Sequence, residues 1–485
     1  MTPSPHFSPR EIFLRILGFI YLAAFVSLWL QGDGLIGSKG ILPVQNFLEF
    51  VRQQTGPERF WALPTLCWLN SSDSFLHLLC VAGTFLSLAL ILGLAPAPIL
   101  FLLWMLYLSL VTAGQDFMEF QWDNLLLEVG FLAIFLAPLR LRPRLFDNTP
   151  PPKTVLWLLR WLLFRLMFSS GFVKLASGDS AWRNLTALTY HYETQPLPTW
   201  VGWYAHQLPA WFQKLSCAMM FGIELGISFL IFAPRRFRIV GSWILICFQT
   251  FILLTGNYCF FNLLTIALCL LLLDDRAWPF SMFGKKAEDS IRRSWTWPRW
   301  VTLPIFAVIL FVSSNQMLRL LGFRIRWPEP LPSVLRTVGA FRSVNHYGLF
   351  AVMTTSRPEI IVEGSRDGVT WQAYEFRWKP GDLERAPEFN LPHQPRLDWQ
   401  MWFAALGSYR QNPWFMNFLV RLLEGSPPVL KLLEENPFPD APPRYVRAAL
   451  YDYRFTDLAT MRSKGEWWRR SEKGYYAPVV SLGKT

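Results

Sequence analysis

Long oily runs separated by short basic loops predict a mainly α chain. It should be a polytopic membrane helix bundle of eight or nine spans (residues 1–322), followed by an extracytoplasmic, strand-rich α+β domain of sandwich-like type (residues 323–485). Three observations predict this class. Of 485 residues, 52% are hydrophobic and only 16% are charged, whereas a soluble globular chain carries about a quarter charged residues. Aromatic residues reach 16%, an excess expected where rings sit at membrane interfaces. From about Phe323 the unbroken apolar runs give way to alternating apolar and polar residues, the pattern of half-buried strands.

The spans follow from length, since crossing a bilayer takes roughly 17–25 apolar residues. Nine segments qualify: about 12–30, 75–94, 97–113, 124–139, 155–175, 214–233, 239–255, 258–273 and 301–320. Those near 124, 239 and 258 are short enough to begin in the interface or form a re-entrant pair. The first lacks a small-residue cleavage site and reads as an anchor.

Lysine and arginine set the orientation. With the N-terminus in the cytoplasm, inside loops carry Arg10; Arg140, Arg142, Arg144 and Lys153; Arg235, Arg236 and Arg238; and Arg276, Lys285, Lys286, Arg292, Arg293 and Arg299. Outside loops carry Lys39, Arg52, Arg59 and Arg183. Nine spans then leave the C-terminal domain in an ER lumen or a periplasm. The net charge of +12 orients helices and does not imply a nucleic-acid partner; the lipid bilayer is the partner it implies.

In the C-terminal part, "YGLFAVMT", "EIIVEGS", "TWQAYEFRW" and "RYVRAALYDYRFT" read as strands, and "SRDGV" supplies an Asp-Gly hairpin signal. "DWQMWFAALGSYRQ" and "PWFMNFLVRLLEG" have helical spacing and stop near Gly or Pro. The six cysteines form no CxxC pair and read as small hydrophobes.

Charged residues inside lipid are costly and usually face a partner or a wet cavity. Arg15 and Arg160 can snorkel from the cytoplasmic starts of their helices. Glu128, Arg165, Lys174 and Glu224 form a candidate intramembrane polar cluster; by depth alone Arg165 should meet Glu224, and Lys174 should meet Glu128. They either weld the bundle or line an outward-facing cavity with Lys174 near its floor. A second, outer-loop cluster comprises Trp122, Asp123, Asp179, Trp182, Arg183 and His191. No HxxxH or HExxH spacing occurs, so neither a metal nor a cofactor is expected. In the C-terminal domain Arg396, Asp398, Trp399 and Trp402 are either client-binding anchors, the residue types that dominate interfaces, or domain core.

Together "LTALTYHYETQPLPTW", "GLIGSKGILP", "QWDNLLLE" and "PHQPRLDWQMWFAAL" resemble the lipase maturation factor family from about Ser27 to Phe455. The resemblance implies a non-enzymatic, multi-pass protein that assists folding and assembly of secreted lipases. Eukaryotic members reside in the ER membrane, with a lumenal C-terminal region linked to client binding. Short cytoplasmic loops suggest a bacterial member, which would sit in the inner membrane. "GFVK" and "DSAW" are also similar to a motif of the vitamin K-dependent gamma-carboxylase type of membrane domain. That similarity implies the alternative, an enzyme with Lys174 as its catalytic base.

Overall fold

The computed structural model describes residues 7–142, 151–274, 277, 295–323 and 325–483. Arg144, Arg276, Lys285, Lys286, Arg292 and Arg293, six of the inside-loop charges, lie outside the described residues. Among the described residues, seven helices are long and apolar enough to cross a membrane. They are α1 (Phe7–Leu35), α2 (Asp73–Ile91), α3 (Pro96–Ala113), α5 (Lys153–Ala176), α6 (Ala210–Phe221, prolonged by irregular turns to Phe232), α7 (Arg235–Thr255) and α9 (Arg299–Leu320). The expected segments near 124 and 258 form shorter helices, α4 (Gln121–Leu136) and α8 (Phe261–Leu270).

At about 1.5 Å per residue the 16 residues of α4 span about 24 Å, and contacts at its two ends show where it runs. Near its C-terminal end, Arg140 meets Glu11 of α1 at 2.9 Å, and the Trp297 indole donates to the Ile134 carbonyl just before α9. At its N-terminal end, Asp123 lies against the C-terminal domain. The short helix therefore traverses the same bundle as its longer neighbours. Helix α8 behaves alike, with Asn257 before its start bonded to Glu388 and Asp274 beyond its end paired with Arg235.

Close helix crossings depend on small residues. A Cβ on Gly83 of α2 would sit 2.4 Å from the Phe25 ring of α1, and one on Gly130 of α4 would overlap the Tyr21 hydroxyl. These glycines let bulky side chains of α1 cover neighbouring backbones, the small-residue packing typical of membrane helices.

The sheet of the C-terminal domain is antiparallel, in the order β2-β1-β5-β6, from β1 (Arg357–Ser365), β2 (Gln372–Ala373), β5 (Tyr445–Phe455) and β6 (Trp468–Val480). A separate ribbon pairs β3 (Glu375–Phe376) with β4 (Leu433–Glu435). Between β3 and β4 come α10 (Arg396–Ala405) and α11 (Pro413–Leu423), both expected from spacing. The "SRDGV" turn joins β1 to β2; Asp367 accepts from the Val369 and Thr370 amides at 2.8 Å, and Gly368 takes φ +79°. Those bonds hold the Asp367 carboxyl well below the usual carboxylate range.

Two expectations are corrected. Helices α10 and α11, not a second facing sheet, pack over β1 and β5, so the described strands do not make a sandwich. "YGLFAVMT" is no strand: this stretch lies irregularly across one end of the bundle, where the Phe350 carbonyl accepts from the Trp182 indole and the Met353 amide donates to Asp179. Its alternation reflects one side packed on helices, not pairing in a sheet.

Candidate functional site

The intramembrane charges pair, but with partners exchanged relative to the expectation from depth. Arg165 bonds Glu128, and Lys174 donates to both oxygens of Glu224 at 2.8 Å. Arg165 and Lys174 are nine residues apart, which at 100° per residue turns them to opposite sides of α5. One faces α4 and the other faces α6. Glu224, deep in its own sequence run, thus reaches the level of Lys174 in the last turn of α5.

Each pair is closed. Glu128 is fully buried and also accepts from the Asn345 amide, its side-chain Nδ2 and the Tyr347 hydroxyl at 2.8, 3.2 and 2.8 Å. The second Arg165 nitrogen donates to the Asn345 carbonyl at 3.1 Å. Lys174 and Glu224 are both 5% exposed, and the Trp182 ring lies 5.4 Å from the ammonium. A π-helical turn at Gly222–Gly226 carries Glu224, and Gly171 packs directly against its Cβ. With both carboxylate oxygens on its Nζ, Lys174 sits in a buried, paired contact.

The outer-loop residues divide into two groups. Asp179 caps the Ser180–Arg183 turn and holds Met353, Trp182 packs beneath Phe350, and His191 bonds the Tyr258 hydroxyl at 3.0 Å. Arg183 is exposed. Burial pushes the His191 pKa down to about 4, with Lys174 adding to the effect. Trp122 and Asp123 instead meet the C-terminal domain. Arg396 of α10, fully buried, grips both Asp123 oxygens at 2.9 Å and donates to the Phe117 carbonyl at 2.7 Å, while the Tyr107 hydroxyl donates to the same carboxylate.

Arg396, Asp398, Trp399 and Trp402, the residues singled out as client anchors, are all turned inward. Asp398 accepts from the Trp378 and Lys379 amides at 2.9 Å, and the Trp402 indole donates to the Thr194 carbonyl at 2.8 Å. The sequence shows that α10 is amphipathic without showing that its other side lies on the membrane bundle. Further welds were not foreseen. Arg357 bonds the carbonyls of Glu193, Gln195 and Pro196 and pairs with Glu359, and Arg454 pairs with Glu193 at 2.8 Å. Asn345 and Tyr347 could have been suspected only from the polar "RSVNHY" run.

What these welds frame is a cleft of about 840 Å³ between α10 and the end of the bundle that carries Phe120, Pro196 and Tyr258. Its wall is aromatic: Phe120 stacks on Trp122 at 4.5 Å, Trp122 meets Trp399 edge-on at 4.6 Å, and Phe403 packs on Trp402 at 5.0 Å. Tyr258 and Phe350 complete it. Phe403, Leu406 and Val352 are exposed at 43, 45 and 65%. Asp116 and Glu119 add carboxylates, and burial raises the pKa of Asp116. The Trp122 and Trp399 indole N–H groups meet no acceptor among the described residues. An exposed apolar wall suits a peptide segment carrying large apolar side chains.

Comparison with known proteins agrees in both halves. The lipase maturation factor transmembrane domain matches residues 8–280, and the lipase maturation factor C-terminal domain matches residues 343–478. Lipase maturation factor 2 of Gallus gallus is 38% identical over 98% of this chain and 82% of its own length. Lipase maturation factor 2 of Homo sapiens is 38% identical, covering 98% and 83%, and human lipase maturation factor 1 is 36% identical, covering 98% and 88%. No solved structure matches. The chain belongs to the lipase maturation factor family.

Proposed function

We propose that this chain is a multi-pass maturation factor that holds an apolar segment of a secreted lipase in the aromatic cleft while the client folds or assembles. The observation that carries this reading is the cleft itself, an exposed aromatic wall built jointly by the bundle and the C-terminal domain. Nine crossings, with α4 and α8 included, put that wall on the side opposite the N-terminus. Support comes from the end-to-end contacts of both short helices and from the concentration of basic residues on the N-terminal side. In this reading the chain divides near residue 322, and the domain beyond faces an ER lumen or a periplasm. Residues 342–347 complete the bundle's polar core.

The test is co-purification of a secreted lipase with the full-length protein. Phe403→Glu and Val352→Glu, both at exposed positions on the cleft, should reduce lipase capture and secreted lipase activity while leaving expression unchanged. Undiminished capture by both variants would remove the cleft from the account.

A further inference from the structure

A second groove lies on the far side of α10, where α1 leaves the bundle. It has a volume of about 500 Å³ and is framed by α1 on one side and by the loops around Arg377, His393 and Lys431 on the other. Ala23, Val26, Ser27, Leu30 and Gln31 recur at helical spacing and therefore share one face of α1. The polar edge of that face is stitched to the C-terminal domain. Gln31 donates to the Gln394 carbonyl at 2.8 Å and accepts from the Arg396 amide at 2.9 Å, and Ser27 accepts from the Gln394 amide at 2.9 Å. The apolar edge stays bare, with Leu30 76% exposed. The neighbouring Trp29 is 39% exposed, as interfacial tryptophans are.

Above this apolar floor the rim is cationic. The Arg377 side chain is 51% exposed; its Nε pairs with Glu434 at 3.4 Å and donates to the Leu433 carbonyl at 3.3 Å, while its two Nη groups have no partner among the described residues, and Lys431 is exposed with no ion pair among the described residues. His393 Nδ1 lies at hydrogen-bond distance, 3.0 Å, from the Ser27 hydroxyl. Asp398, the carboxylate in the lining, is buried and bonded to two amides. A bare helix stripe beneath the unpaired Lys431 and the open Nη groups of Arg377 suits a ligand with an anionic head and a hydrocarbon tail.

We propose that this groove holds a phospholipid of the leaflet on the C-terminal-domain side. Its phosphodiester lies between Arg377 and Lys431, and its chain runs along Ala23, Val26 and Leu30. Arginine suits a phosphate because its planar fork bonds two oxygens. The bound lipid acts as a filler between α1 and the domain, independent of the client cleft; the proposal requires only that α1 lies in the bilayer.

Native mass spectrometry of the full-length protein, released from nanodiscs of equal parts phosphatidylcholine and phosphatidylglycerol, tests it. The unmodified protein should retain one phospholipid under activation that strips the surrounding lipids. Arg377→Gln with Lys431→Gln should lower that retention roughly tenfold or more, the scale of losing charge-assisted hydrogen bonds. Ala23→Phe, which fills the floor and keeps both cations, should do the same even if the double variant misfolds. Arg183→Gln with Arg462→Gln should change nothing. Equal retention by the unmodified protein and the groove variants overturns the proposal, as does displacement of the lipid by millimolar inorganic phosphate, which would mark a free-anion site.

Discussion

Cutting the Arg396–Asp123 clamp should separate the cost of a stranded charge from the worth of the pair. Both side chains are fully buried, and four hydrogen bonds converge on them: two between the partners, one from Arg396 to Phe117, and one from Tyr107 to Asp123. Burial works against the Arg396 charge, and Asp123 beside it more than offsets this, leaving its pKa above the usual arginine value. Arg396→Met leaves a buried carboxylate unpaired and should cost about 3–5 kcal/mol; Asp123→Leu strands the guanidinium and should cost a similar amount. The double replacement puts apolar groups of similar volume into the site. It should cost far less than the sum, with a coupling of at least ~2 kcal/mol. Detergent-micelle unfolding titrations of the four proteins measure this directly. An exposed control, Arg52→Met against Glu49, should lose less than about 1 kcal/mol. Coupling below roughly 0.5 kcal/mol, the scatter expected of independent sites, would refute the clamp as the junction's principal weld.

Other outcomes follow from the same geometry. Lys174→Met combined with Glu224→Leu should preserve lipase maturation, whereas loss of maturation with an unchanged fold would restore an active role for the lysine. Gly83→Ala, which drives a methyl into the Phe25 ring, should destabilise the protein by about 1–3 kcal/mol in the same titration. His191 and His393 are both held near pKa 4, chiefly by burial, below an unfolded value of about 6.5. The unfolded chain therefore binds protons first as pH falls. Stability should be full above pH 6.5 and decline toward pH 4, by about 1–2 kcal/mol per histidine at pH 5. His191→Gln should flatten that profile, and a profile flat from pH 7 to 5 in the unmodified protein would contradict it.

The spans were legible because lipid admits only long apolar helices with satisfied backbones, and the charged residues in them were legible because each is expensive there. Partner choice was not legible. Depth can be counted along a chain, but azimuth depends on how α5 is rotated between α4 and α6, which a single sequence does not state. The long strands β1 and β5 could be read from alternation. Strand β6, with "WRRSEKG" at its start, could not, because its outward residues are charged and its pairing partner sets its place. The same limit applies to α10. Arg396, Trp399 and Trp402 have the chemistry of an interface and do form one, but with this protein's own membrane domain.

The most direct measurement is photo-crosslinking from the cleft. A benzoylphenylalanine at position 403, in cells expressing a secreted lipase, should yield a covalent adduct with that lipase. The same probe at position 237 on the N-terminal side, where Phe237 is also exposed, should yield none. Lipase adducts from position 237, or their absence from 403 in protein that still supports lipase secretion, would contradict the account.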